Sequence, residues 1–113
     1  MRSYIFQDLI SGGDLFSFME YKGSRLRDVE AAVIVRQILK GIEYLHDHEI
    51  VHRDLKPDNI LMTSFDDGAR IVITDFGHAR YLPKAGVRDM SSHKKASRRH
   101  MHTLVGTLEY QAP

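Results

Sequence analysis

Cysteine is absent from this 113-residue chain, which excludes a disulfide framework, cysteine-ligated zinc and thiolate catalysis, and fits a reducing compartment. Charge of one sign is lacking as well. Sixteen Lys and Arg against 15 Asp and Glu leave +1, so no global field marks a nucleic-acid or membrane binder. No apolar run approaches the roughly 20 residues of a membrane span. The opening residues Met1 to Asp8 lack the long apolar stretch of a secretory signal. What is present is ordinary for a globular chain: 42% hydrophobic and 27% charged residues, in a length that allows one small domain. The expectation is an intracellular domain, cytoplasmic or nuclear, with neither nucleic acid nor membrane as partner.

Local patterns divide the chain. Tyr4-Ile5-Phe6-Gln7-Asp8-Leu9-Ile10 reads as a strand that stops at Ser11-Gly12-Gly13. Asp14 to Tyr21 reads as a short helix with Gly23 as its stop. Asp28 is the expected N-cap of a longer helix over 28–48, with Glu30 complementing its dipole. Ile34, Ile38, Ile42 and Leu45 recur at helical spacing, and Val35 and Leu39 are expected to widen that stripe. Ile50-Val51, Ile60-Leu61-Met62 and Ile71-Val72-Ile73 read as brief strands, the last two joined by turn chemistry over Ser64 to Gly68. Residues 84–103 carry +5, leaving −4 for the remainder; this stretch reads as a solvated loop. Its His93, His100 and His102 lie among lysines and arginines, which disfavours a metal cluster.

The chemistry concentrates in His52-Arg53-Asp54-Leu55-Lys56-Pro57-Asp58-Asn59. A carboxylate, a lysine two residues on and an amide five residues on sit between short strands, where Pro57 stiffens the turn. A second carboxylate follows in Asp75-Phe76-Gly77, after an apolar strand. Two carboxylates and an amide oxygen are hard ligands suited to Mg²⁺, which usually keeps substrate phosphates in its shell.

These residues, with Gly106-Thr107-Leu108-Glu109-Tyr110-Gln111-Ala112-Pro113 behind them, resemble the catalytic loop, metal-binding triplet and activation-segment end of a eukaryotic protein kinase, in the right order. The resemblance covers essentially the whole chain and implies an α+β class: a partial protein kinase-like fold, mostly helical large lobe with a hinge strand and short β-ribbons. It implies Asp54 and Lys56 as catalytic residues, with Asp54 receiving the substrate hydroxyl proton and Lys56 neutralising the transferring phosphoryl group. Asn59 and Asp75 would hold Mg²⁺. ATP would meet Asp8 and Ile10 at a hinge within residues 1–13, with Gln7 at the gatekeeper position. Asp14 would reach the ribose or a basic substrate residue, and Leu61 would floor the adenine. His52 would pack near Phe76. The catalytic loop and its flanking strands would fill 50–63, and the activation segment 75–113 with a basic insertion over 84–102. Arg53 would pair with a phosphate on that segment, Thr103 being the candidate acceptor for an upstream activating kinase. Thr107 would hydrogen-bond near Asp54 and Lys56.

Lys56 and Thr107 resemble the serine/threonine branch, and Asp75 to Arg80 with His102 to Thr107 resemble its calmodulin-dependent and checkpoint-kinase group. The implied reaction is transfer of the ATP γ-phosphoryl group to a protein Ser or Thr hydroxyl. Within these residues there is no Gly-x-Gly-x-x-Gly, no strand-ending lysine of the phosphate-pairing kind and no partner-glutamate helix. The chain therefore reads as the middle of a kinase domain, expected to be inactive or nearly so by itself. The alternatives are a non-catalytic remnant serving as a binding module, and a small-molecule kinase, against which Lys56 and residues 106–113 argue.

Overall fold

The computed structural model describes residues 1–82 and 106–110. Thr103, the basic insertion over 84–102 and the terminal Gln111-Ala112-Pro113 lie outside them. Two helices and two antiparallel ribbons make up the described part: α1 (Leu15–Tyr21), α2 (Asp28–Asp47), β1 (Ile50–Val51), β2 (Ile60–Met62), β3 (Ile71–Ile73) and β4 (Arg80–Tyr81). Single 3₁₀ turns cover Pro57–Asn59 and Leu108–Tyr110.

Helix α1 starts where the sequence dictates. Asp14 has extended backbone geometry and its Oδ1 accepts from Ser17 N at 2.7 Å, which satisfies one of the orphan donors of the first turn. Gly23 takes φ 77° just past the helix end, where a side chain would strain the backbone. Helix α2 departs by one residue from expectation. Arg27, not Asp28, is the N-cap, and Asp28 is the first helical residue. An arginine side chain cannot accept from the helix, so Glu30 carries the cap alone by accepting from Arg27 N at 3.0 Å.

Glu30 is also the hub of an ionic cluster. It meets Lys22 Nζ at 3.1 Å and Arg27 Nε at 3.2 Å, while Asp67 in the β2–β3 turn meets Lys22 at 3.3 Å. The cluster joins the end of α1, the start of α2 and the hairpin turn. The hydrogen bonds from Arg27 and Lys22 hold the Glu30 carboxyl down at about 2.

The core is small: Leu15, Phe18, Ile34, Ile60 and Met62, flanked by Met19, Leu26, Ile38, Leu55, Ala69, Ile71 and Ile73. Helix α2 lies across β3, so closely that a Cβ on Gly41 would sit 2.8 Å from Ile73 Cδ1. Gln37 reaches from the helix to the same hairpin, donating to Ala69 O at 3.3 Å and accepting from Ile71 N at 3.2 Å. The expected widening of the apolar stripe fails. Val35 and Leu39 are 50% and 59% exposed, because they project to the side of the helix away from Ile34 and the hairpin.

Strands β2 and β3 pair in the expected hairpin, Ile60 opposite Ile73 and Met62 opposite Ile71. The segment over 12–14 rides along β2: Met62 N donates to Gly13 O at 2.8 Å, and Asp14 bridges to Leu61. Gly12 makes this approach feasible, since a Cβ there would fall 2.2 Å from Met62 O. Tyr4 to Ile10, however, form no strand. A strand needs a partner for its backbone groups, and among the described residues none pairs with this stretch, which leaves Tyr4, Ile5, Phe6 and Leu9 exposed. Strand β4, which sequence patterning did not reveal, pairs with β1, Val51 opposite Arg80.

Gly12→Ala is expected to destabilise the chain by about 2 kcal/mol or more, because the obstructing atoms are backbone and cannot rotate away; urea unfolding midpoints measure it. Glu30 gives a pH signature. Its carboxyl is depressed on folding, so its contribution is complete above about pH 4.5 and is lost as pH falls towards 2. Glu30→Gln should lower the melting temperature at pH 7 and flatten the acid limb across that window.

Candidate active site

The loop between β1 and β2 turns back on itself around Asp54 and Asn59, both buried. The Pro57–Asn59 turn brings Asn59 round so that its Nδ2 donates to Asp54 O at 2.9 Å and to Asp54 Oδ2 at 3.2 Å. Asn59 O in turn accepts from Thr74 N at 2.9 Å, extending the β2–β3 ladder by one rung. Asp75 therefore leaves β3 at the same end of the hairpin at which Asn59 enters β2.

His52 braces this loop from behind. It is buried, Thr74 O lies 2.9 Å from Nε2, and Nδ1 accepts from Asp54 N at 3.2 Å. This places the ring's proton on Nε2. Phe76 packs edge-on against it, ring centroids 5.0 Å apart. Two residues here carry backbone strain. Arg53 and Asp75 have φ of 69° and 60°, conformations that cost a non-glycine residue roughly 1–2 kcal/mol. Local bonds compensate: Arg53 Nε donates to His78 O at 2.7 Å, and Asp75 Oδ1 accepts from Gly77 N at 3.2 Å. A Cβ on Gly77 would crowd that oxygen at 3.1 Å.

Asp54 is the electrostatic centre. Thr107 donates from Oγ1 to Asp54 Oδ1 at 2.9 Å and accepts from Lys56 Nζ at 2.6 Å, so the hydroxyl links the acid to the lysine. Lys56 Nζ and His78 Nδ1 lie 3.8 Å and 3.6 Å from Asp54 Oδ2. Burial by itself would raise the Asp54 carboxyl. The Thr107 hydrogen bond and the Lys56 and His78 charges outweigh it, and the group is held below the usual aspartate value.

The remaining sequence-derived candidates separate. Gln7, Asp8, Ile10, Leu61 and Asp75 line one cleft of about 720 Å³ between the N-terminal segment and the hairpin. Asp14 does not line that cleft; its carboxylate caps α1. Lys56 faces Asp54 and Thr107. The residue that sequence reasoning missed is His78, 24 positions from Asp54. Its only signal is a titratable ring directly after Gly77.

The donor set suits a hard cation that brings its own ligands. Asn59 directs its Nδ2 to Asp54, and its Oδ1 accepts no hydrogen bond among the described residues. Asp75 keeps a carboxylate oxygen in hand beyond the one bound to Gly77. No cluster of three or more His, Cys, Asp or Glu among the described residues could hold a metal unaided.

The sequence matches the protein kinase domain family over residues 1–113. The chain belongs to that family. Over 97% of its length it is 50% identical to the meiosis-specific serine/threonine-protein kinase MEK1 of Saccharomyces cerevisiae, covering 20% of that protein. It is 41% identical to the meiosis-specific serine/threonine-protein kinase mek1 of Schizosaccharomyces pombe, with 97% and 22% covered. A calcium/calmodulin-dependent protein kinase, cmkB of Emericella nidulans, is 40% identical, with 97% and 24% covered. The chain thus spans about a fifth of the length of these relatives. Among its described residues no helix is long and apolar enough to cross a membrane.

Thr107→Ala removes the donor to Asp54 and the acceptor for Lys56. Asp54 is expected to titrate upward, followed by carboxyl-carbon NMR, with about 1–2 kcal/mol of stability lost with the charge-assisted bond.

Proposed function

We propose that this chain carries the phosphoryl-transfer centre of a serine/threonine protein kinase, moving the γ-phosphoryl group of ATP to a protein Ser or Thr hydroxyl. The observation that carries the reading is the convergence on Asp54: a buried, ionised carboxylate held by Asn59 and Thr107, with Lys56 beside it. Phosphoryl transfer asks a protein for positioning and charge stabilisation, and these groups supply both.

Asp54 orients the acceptor hydroxyl and takes its proton as the oxygen–phosphorus bond forms and ADP departs. Lys56 faces the negative charge on the transferring group. Thr107 fixes the spacing between acid and lysine. Asn59 Oδ1 and the Asp75 carboxylate are the groups to hold Mg²⁺, which when bound neutralises phosphate charge. The cleft lined by Asp8, Ile10 and Leu61 receives the adenine, with Asp8 and Ile10 in a hinge over 1–13. Residues 75–113 then form the activation segment. Among the described residues Arg53 uses only Nε, on His78 O, which leaves its terminal nitrogens for a phosphate placed at Thr103 by an upstream kinase.

The test grafts these 113 residues into the Saccharomyces cerevisiae relative in place of its matching stretch and follows Mg²⁺-dependent phosphate transfer to a Ser/Thr peptide. Transfer by the chimera is expected, falling about 10²–10⁴-fold in Asp54→Asn, with little or none from the 113-residue chain alone. A folded chimera without transfer would favour the non-catalytic binding module.

A further inference from the structure

We propose that a groove at the start of α2 docks a partner protein, through a peptide in which one large apolar side chain is flanked by arginines or lysines. The groove lies between the first turns of α2 and the β2–β3 turn, and its volume is about 200 Å³. That is below the usual range for a nucleotide- or drug-sized ligand and suits a single side chain. It shares no lining residue with the cleft around Asp8 and Asp75, nor with the loop that carries Asp54.

The floor of the groove is the core itself, where Phe18, Ile34 and Met62 are buried. Val29 and Val33 form the wall. They stand one turn apart on α2, are 73% and 49% exposed, and belong to no part of the core. Two branched apolar side chains thus face water beside an apolar floor, and a side chain seated between them removes that surface from solvent.

The rim decides the charge of the occupant. Its ionisable groups are three acids, Glu30, Asp66 and Asp67, and one base, Arg27. Glu30 is committed to Lys22, to Arg27 and to the helix cap. Asp66 and Asp67 stand exposed in the hairpin turn. Asp67 meets Lys22 at 3.3 Å but Arg27 only at 3.7 Å, and the side chains of that second pair are 68% and 74% exposed. A pair so solvated contributes little. An incoming arginine can therefore replace Arg27 on Asp67 at small cost and face Asp66 as well, whereas an acidic peptide would meet both carboxylates.

The test uses the 113-residue chain and a fluorescein-labelled peptide, Gly-Arg-Arg-Gly-Leu-Gly-Arg-Arg-Gly, followed by fluorescence anisotropy. Saturable binding is expected, weakened at least about tenfold when the peptide leucine becomes alanine or its arginines become glutamates. Val33→Ser should weaken it at least about threefold, and Asp66→Lys at least about fivefold. Val35→Ser, on the face of α2 away from the hairpin, should leave it unchanged, and circular dichroism checks that each variant keeps its helices. No saturation up to about 1 mM, equal binding of the alanine peptide, or equal weakening by Val33→Ser and Val35→Ser overturns the proposal. Sedimentation as a dimer that Val33→Ser returns to a monomer also overturns it, by giving the groove to a second copy. The assay involves no phosphate transfer, so its outcome stands apart from the role of Asp54.

Discussion

The buried amide of Asn59 is the constraint on which the rest of the site depends. Its nitrogen closes the loop between β1 and β2 onto Asp54 at two points, and its backbone oxygen ties that loop to Thr74 and so to the strand that leads into Asp75. Only an amide can do this and still offer an oxygen to a cation. A carboxylate in its place would repel Asp54, and an apolar side chain would leave the Asp54 carbonyl without a donor. Loop shape and the orientation of the Asp54 carboxylate are therefore set by one side chain.

Around that centre the structure tolerates local cost. Arg53 and Asp75 occupy left-handed backbone conformations on either side of the site, and three positive or polar donors crowd Asp54 Oδ2. The small core beneath them, centred on Phe18, Ile34 and Met62, supports the loop from one side. Strain concentrated at polar loops above a packed apolar base is the usual arrangement of a functional centre.

Most of this was legible in the sequence, for identifiable reasons. Helix α1 announced itself by Asp14 and Gly23, the hairpin by Ile60 to Met62, Ile71 to Ile73 and the turn between them. Asp54, Lys56 and Asn59 stand within one short motif, and the loop between β1 and β2 brings them together. What escaped was what depends on distant partners. Tyr4 to Ile10 has strand composition yet pairs with nothing among the described residues. Arg27 displaced Asp28 as N-cap because Glu30, tethered to Lys22 and Arg27, fixes where the helix begins. Val35 and Leu39 fit the stripe on paper, but a helix that touches the hairpin along Ile34, Gln37 and Gly41 turns them outward. His78 has no motif of its own and gains its place only through the fold.

Gln37 has a consequence for the chain's behaviour among its neighbours. Its amide binds Ala69 O and Ile71 N, the same alternation of acceptor and donor that an adjoining strand would satisfy. A side chain on a helix thus stands in for a missing strand. Backbone groups along the outer edge of a strand are a template for another strand to extend the sheet, and the Gln37 amide occupies that edge at Ala69 and Ile71.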